Sequence, residues 1–312
     1  GAAFLAVKSG AADGFSFGCE CDAPSLLLQT AQWLANQEDE LRQQSAKRTN
    51  CSYPSLLSSV LPQPYGAVLQ QPNNILGVEY IKSLKALGFT GEIFPVRRTC
   101  EHDGSSPSGV FASASFLRSL VREGKDFSAY VPPEALDVIS QAIAEGRVTG
   151  TPEKWERQIL SVLRLKEKGD FSALPFVGGG LEDRLYRAVR QACNLQQLYA
   201  IMKSKRFTHA SVRRLTIHAV LGVPDEFCRA DPPYLRVLAV GKGGNDILRK
   251  MRESAKVPVI QKRSDVSRLD FFAQKVYALE CRAGDFYNLL TDRARPCGTE
   301  MTDQIFRIGE KE

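Results

Sequence analysis

The chain has 312 residues, 43% of them hydrophobic and 24% charged, which gives room for two or three domains with real cores. No low-complexity tract, internal repeat or apolar run of the ~18–20 residues that a membrane span needs is present, and the start GAAFLAVKSG is too short and wrongly flanked for a signal peptide, so no membrane partner is expected. The net charge of +6 is mild but unevenly placed.

The first ten residues read as a helix, followed by a turn at Ala12-Asp13-Gly14 and a short strand from Phe15 to Phe17, which Gly18 closes. Apolar positions at Leu26, Leu27, Trp33, Leu34 and Leu41 mark the next helix. Residues 42–70, poor in acid and rich in Gln, Ser and Pro, read as a partly helical loop around SYPSLLSSVL. In QPNNILGVEYIKSL (71–84), the positions Ile75, Leu76, Val78, Tyr80, Ile81 and Leu84 give a helix a broad apolar face. Gly88 ends that helix and EIFPVRR reads as the next strand. Strand, helix, helix, strand predicts a parallel α/β sheet, and ASASFLRSLVREG opens a further helix.

After YVPPEAL, where Pro132 and Pro133 forbid helix before them, the chain becomes mainly α. Helices are expected at 133–145, 152–168, 181–194, 195–203, 209–221, 243–254 and near 269–281, with strand-like pieces in VPVIQK and MTDQIFRI. The predicted division is an α/β region over residues 1–130 and a mainly helical region over 131–312. An α/β nucleotide-binding domain normally starts with a strand that delivers a phosphate loop. This chain starts on a helix, with at most two strands before residue 100, and reads like the back half of such a domain.

Eight cysteines, at 19, 21, 51, 100, 193, 228, 281 and 297, form no CxxC pair. They read as cytosolic thiols, with no metal site and no disulfide framework, which points to a cytoplasmic protein. The three histidines are too far apart for a spaced metal or hydrolase motif, and GxSxG, HExxH and Walker sequences are absent. The triglycine at 178–180 precedes a helix but is followed by Glu182 and Asp183, which would repel phosphate. GKGGND (241–246) lacks dinucleotide spacing and reads as a helix entry.

Two segments suit an anionic ligand better. In ASASFLR, Ser113 and Ser115 sit at a helix entrance with Arg118 a turn later; this is either a plain serine cap with a surface arginine or a phosphate cradle of N–H groups, hydroxyls and a guanidinium. In PVRRT, Arg97 and Arg98 stand at the end of a strand, where α/β sheets place ligands. Between Asp183 and Asp225 no acidic residue occurs, while Arg184, Arg187, Arg190, Lys203, Lys205, Arg206, Arg213 and Arg214 fall there. Such a face is either ordinary solvated surface or a site for an anionic partner, nucleic acid first.

The motifs FGCE, PNNILGVEYIKSL, RR…EHDG, ASASFLR, GLEDRL, KSKRFTHASVRRL, PPYLRVLAVGKGG and CGTE occur in that order. Together they resemble the tRNA(Met) cytidine acetate ligase family, related to bacterial nucleotidyltransferases, over nearly the whole chain. The resemblance implies a partial Rossmann-like nucleotidyltransferase domain followed by a helical tRNA-binding domain. It also implies activation of acetate by ATP, with Mg²⁺ assisting, and acetylation of the wobble cytidine of elongator tRNA(Met) to N4-acetylcytidine. On the family pattern, ATP contacts fall on Gly18, on Asn73 or Asn74, and on Arg97 or Arg98. Ser113, Ser115 and Arg118 join them as candidates, and Lys203, Lys205, Arg206, Arg213 and Arg214 are expected to meet tRNA.

An asparagine amide offers both donor and acceptor, so one of the pair can read an adenine edge or ribose hydroxyl while its neighbour caps a helix beginning at Ile75. The family's phosphate loop carries an H-x-G-H motif, and none occurs in these residues. The expectation is that this segment is missing from the chain, that no catalytic residue can be assigned, and that the chain as given adenylates little or not at all. Two other readings remain open: a nucleotidyltransferase that adenylates a small metabolite, and a non-catalytic RNA-binding protein.

Overall fold

A computed structural model describes residues 1–37, 40–41, 57, 61–98, 111–148, 152–204 and 207–307. Helix α1 (Ala2–Ser9) leads into strand β1 (Gly14–Cys19), which pairs in parallel with strand β2 (Glu92–Arg97), Gly14 facing Glu92 and Cys19 facing Arg97. Parallel strands need a long crossover, and helices α2 (Pro24–Asn36), α3 (Tyr65–Val68) and α4 (Pro72–Ala86) lie along it. The predicted parallel α/β unit is therefore present.

Phe15, Phe17, Ile93 and Pro95 face one side of the strand pair and are half-buried, whereas Ser16, Gly18, Phe94 and Val96 are exposed, the period of two that a pleated strand imposes. The inner face meets α2 and α4 in a core that includes Cys19, Leu27, Ala31, Leu34, Val78 and Ile81. The closest approach is at Gly77 in α4, where an added Cβ would lie 2.4 Å from Cε2 of Phe17.

Helix α5 (Ala114–Arg122) and a 3₁₀ turn (Ser128–Tyr130) precede α6 (Pro133–Ala144), which begins at the proline pair as predicted. Helices α7 (Pro152–Arg164), α8 (Lys168–Ser172), α9 (Leu181–Gln191), α10 (Leu195–Met202) and α11 (His209–Leu221) then close around Leu163, Phe171, Leu185, Val189, Leu198 and Met202, all fully buried.

A third core, with Tyr234, Ile260, Ala273 and Tyr277, follows α12 (Asp225–Arg229). Its parts are β3 (Leu235–Arg236), β4 (Ala239–Val240), α13 (Gly244–Ser254), β5 (Val259–Ile260), α14 (Arg263–Val266), α15 (Phe271–Leu290), α16 (Thr299–Thr302) and β6 (Phe306–Arg307). β3 pairs with β5 and β4 with β6, both in parallel. Helix α15 runs past its predicted end at 281. Gly284 weakens the helical pattern in sequence, but in the fold it admits α16: a Cβ there would be 2.6 Å from Cγ of Glu300. The predicted strand MTDQIFRI is reduced to Phe306–Arg307, with Met301 and Thr302 in α16.

The segment after α13 returns to the N-terminal helix. The N–H of Lys256 donates to the Lys8 carbonyl at 2.8 Å, Ser254 Oγ donates to the Gly10 carbonyl at 3.1 Å, and Lys250 pairs with Asp13 at 3.0 Å. Gly10 ends α1 with a left-handed φ of 64° and leaves room for Ser254, whose carbonyl oxygen would be 2.6 Å from a Cβ. Among the described residues no helix is long and apolar enough to cross a membrane.

Candidate functional site

Because β1 and β2 run parallel, their carboxyl ends lie side by side and the chain leaves β1 through Glu20 and Cys21. Helix α4 begins at Pro72, with Gln71 as its N-cap and no side-chain cap bond, because proline's fixed φ and missing N–H suit the first turn. The expectation that one asparagine caps a helix starting at Ile75 is thereby corrected: both asparagines lie inside the first turn.

There they form a reciprocal clasp with the end of β1. Asn74 is buried, and its Oδ1 accepts the N–H groups of Glu20 at 2.8 Å and Cys21 at 3.0 Å. In return one carboxylate oxygen of Glu20 accepts the Asn74 N–H at 3.0 Å. The other accepts the Asn73 Nδ2 at 2.5 Å and, more weakly, its N–H at 3.4 Å. Glu20 thus satisfies the open N–H groups and positive end of α4. A phosphate could bind at that helix end only by displacing a carboxylate. Asn74 Nδ2 and Asn73 Oδ1 remain, an uncharged donor and acceptor suited to a nucleobase edge or a sugar hydroxyl. Glu20 appears in the FGCE motif but carries no role in the sequence reading.

Gly18 and Arg98 come together beside the clasp. The Arg98 N–H donates to the Cys19 carbonyl at 2.9 Å, and a Cβ on Gly18 would sit 3.2 Å from Arg98 Cγ. Arg98 is exposed and has no ion pair among the described residues. Arg97 pairs with Asp22 at 2.7 Å in full solvent, a contact of little energetic weight. Burial pushes the Cys19 thiol up, so this sulfur stays protonated and is no nucleophile.

Ser113 is the N-cap of α5 and accepts the Phe116 N–H at 3.1 Å, the plain role weighed in the sequence. Arg118 donates to the Ser115 hydroxyl at 3.2 Å one turn along the same helix. Both bonds are local to α5.

The cations of the acid-free interval divide into two kinds. Arg184 donates to the carbonyls of Ile201 and Lys203, and Arg190 donates to those of Tyr186 and Lys166 while stacking 3.4 Å above the Tyr186 ring. Arg187 donates to the Asp183 carbonyl. Arg184 and Arg190 thus tie α9 to neighbouring segments, whereas the Arg187 bond stays within α9. Thr208 caps α11 by accepting the Ser211 N–H, and Val212, Leu215 and Ala219 are buried, so Arg213 and Arg214 lie exposed off that stripe. Lys203 is exposed at the end of α10, while Lys205 and Arg206 lie outside the described residues.

Parallel strands with polar and cationic groups gathered at their carboxyl ends define a nucleotide-binding type of α/β protein, here continued by a helical region with a cationic face. A model of the HIGH nucleotidyl transferase family matches residues 1–301, and the chain belongs to that family. The tRNA(Met) cytidine acetate ligase of Thermotoga petrophila is 28% identical over 318 residues, covering 93% of this chain and 76% of the relative. The enzyme of the same name from Syntrophomonas wolfei is 25% identical, covering 97% and 78%. Among solved structures, apo Thermotoga maritima TmcAL superposes with a TM-score of 0.87 at 26% identity, over 98% of this chain and 80% of that one. The same protein bound with alpha-thio ATP gives 0.87 at 25% identity, over 99% and 79%. The resemblance and the fold class read from the motifs both hold.

Proposed function

We propose that the chain serves an ATP-dependent acetate ligase that modifies tRNA in the cytoplasm, with residues 1–130 handling the nucleotide and residues 131–312 the tRNA. The observation that carries this reading is the Asn73–Asn74–Glu20 clasp, which sets neutral amide groups beside Arg98, without an ion pair among the described residues, in a fold shared with a protein bound to alpha-thio ATP. Asn73 Oδ1 and Asn74 Nδ2 would read the adenine or ribose, Gly18 would let the nucleotide approach the strand end, and Arg98, with Arg97 once released from Asp22, would offset phosphate charge. Ser115 and Arg118 would take a further phosphate oxygen, with Ser113 holding that helix entrance.

In the reaction, an acetate oxygen attacks the α-phosphorus of ATP, pyrophosphate leaves, and acetyl-adenylate forms. The exocyclic amine of the wobble cytidine of tRNA(Met) then attacks the acetyl carbon, AMP leaves, and the amine loses a proton. The chain's own residues contribute position and charge rather than a covalent step. Among the described residues no group of three or more His, Cys, Asp or Glu could hold a metal ion. A Mg²⁺ carried in on the triphosphate fits this site better than one held in a protein cage.

The sequence contains no H-x-G-H, so for this chain the first readout is binding rather than turnover. Arg98→Ala is expected to weaken ATP binding by roughly 10- to 150-fold, the range of a lost hydrogen bond to a charged group, measured by calorimetry. Unchanged affinity in both Arg98→Ala and Arg97→Ala would remove the nucleotide assignment.

For tRNA, the double variant Lys203→Ala/Arg213→Ala should reduce the log–log salt slope of binding by about 0.7–0.9 per lost contact, with ATP affinity kept. ATP binding without tRNA binding would favour adenylation of a small metabolite. The reverse would favour a non-catalytic RNA-binding protein.

A further inference from the structure

A cavity of about 260 Å³ opens between the loop before α9 and one flank of α11, with Phe176, Phe207, Ser211, Arg214, Leu215 and His218 among its lining residues. Among the described residues no carboxylate lines it. The nucleotide site makes no use of it. Drug-sized ligands occupy sites of about 300–1,000 Å³, so this one suits a single flat ring system.

Phe176 stands at this cavity, 64% exposed. It is also the one non-glycine residue among those described with a left-handed backbone, at φ 60°. That conformation strains a bulky residue, and a ring left in water gains nothing from the core. Glycine would serve the turn better, so packing gives no account of a phenyl ring here; such outliers gather at ligand sites.

Arg214 makes no ion pair among the described residues and lies within the interval that contains no acid. Burial, and secondarily Arg214, hold the His218 imidazole below its usual value, so near neutral pH it is uncharged and offers one donor and one acceptor. An apolar peptide side chain would leave the guanidinium uncompensated at the rim. A flat ring with polar edges, joined to a phosphate, meets every group present. A base inside a duplex cannot enter, because its faces are already stacked.

We propose that the cavity receives one unstacked base from a single-stranded segment of the RNA held on the α10–α11 face, with Phe176 stacking on the base and Arg214 bonding a neighbouring phosphate. This rests on the RNA-binding role proposed for that face and adds the part of the RNA that is recognised: an unpaired nucleotide.

The test compares a fluorescently labelled RNA hairpin with an unpaired loop against a blunt duplex of equal charge, at fixed salt. The wild-type chain should prefer the hairpin. Phe176→Ala should lower hairpin affinity at least about fivefold and leave duplex affinity and the salt slope unchanged. Phe176→Tyr should retain the preference, and a melting curve should show that the alanine variant is folded. Equal losses on hairpin and duplex would overturn the base platform.

An unchanged hairpin affinity in Phe176→Ala, alongside a flattened salt slope in Lys203→Ala/Arg213→Ala, would overturn the cavity assignment and leave the cationic face standing. A changed sedimentation coefficient with unchanged hairpin affinity would make the cavity a protein contact and overturn the proposal. A wild-type chain that binds neither RNA would overturn the cavity and the RNA reading together.

Discussion

Replacing Asn74 with alanine is expected to lower stability by about 2–4 kcal/mol and to abolish ATP binding in the same protein. Its Oδ1 is the acceptor for two N–H groups, those of Glu20 and Cys21, at a site only 3% exposed. Each buried donor left without a partner costs about 1–3 kcal/mol. The strand exit that carries Glu20 then loses its anchor, and with it the cap on α4. Asn73→Ala removes only the half-exposed partner of Glu20 and should cost about 0.5–1.5 kcal/mol.

Asn74→Asp separates the hydrogen bonds from the charge. It keeps an acceptor but sets a second carboxylate beside Glu20, which raises the acid's folded-state pKa above its unfolded value. Stability of that variant should therefore fall as pH rises through about 4 and above, a slope that Asn74→Ala lacks. Urea denaturation across a pH series measures both. A loss below about 1 kcal/mol in Asn74→Ala would show that the clasp is ornamental.

The second large effect runs against helix propensity. Alanine in place of a mid-helix glycine ordinarily stabilises by about 1 kcal/mol. At Gly77 the new Cβ would lie 2.4 Å from Phe17 Cε2 and 3.1 Å from Cδ2. The ring has little room to retreat, since it packs edge-on against Tyr80 with centroids 5.8 Å apart and lies 6.3 Å from Phe15. Gly77→Ala should therefore destabilise by about 1–3 kcal/mol, as overpacking does. Pairing it with Phe17→Leu should recover part of the loss, and a double-mutant cycle measures that coupling. Because Phe17 precedes Gly18, the single variant should also weaken ATP binding. Additive effects in the cycle would show that the two side chains do not compete for space.

Elements governed by local pattern are legible in the sequence. The apolar positions of α4 and α11, the proline pair before α6 and the alternation in β2 all rest on neighbours a few residues apart, and each element forms within a few residues of its expected bounds. What escapes a reading of the sequence is set by partners far along the chain. Glu20 looks like a surface acid until folding brings it to residues 53 and 54 positions away.

Helix α4 starts three residues ahead of its expected place, because a proline before two asparagines resembles a turn, whereas here it opens the helix. Arg184 and Arg213 look alike in a basic run. Only the fold shows that the first is occupied by the Ile201 and Lys203 carbonyls and that the second is exposed. Gly284 reads as a weakness in α15 because the glutamate that fills its space lies sixteen residues further on, in another helix.

The contacts from Ser254 and Lys256 to Gly10 and Lys8 bear on how the protein is made. A chain emerging from the ribosome usually completes its first structural unit before the later ones appear. Here the end of the first helix and the entry to β1 wait for residues some 240 positions downstream. Closing so long a loop costs only about 0.6 kcal/mol more than closing one half its length, since that term grows with the logarithm of length, but it does fix an order of events. The α/β unit around β1 and β2 can gather its own core early, yet the end of α1 is fastened only when translation has passed residue 256. Until then the carbonyls of Lys8 and Gly10 have only water for partners in place of Lys256 and Ser254.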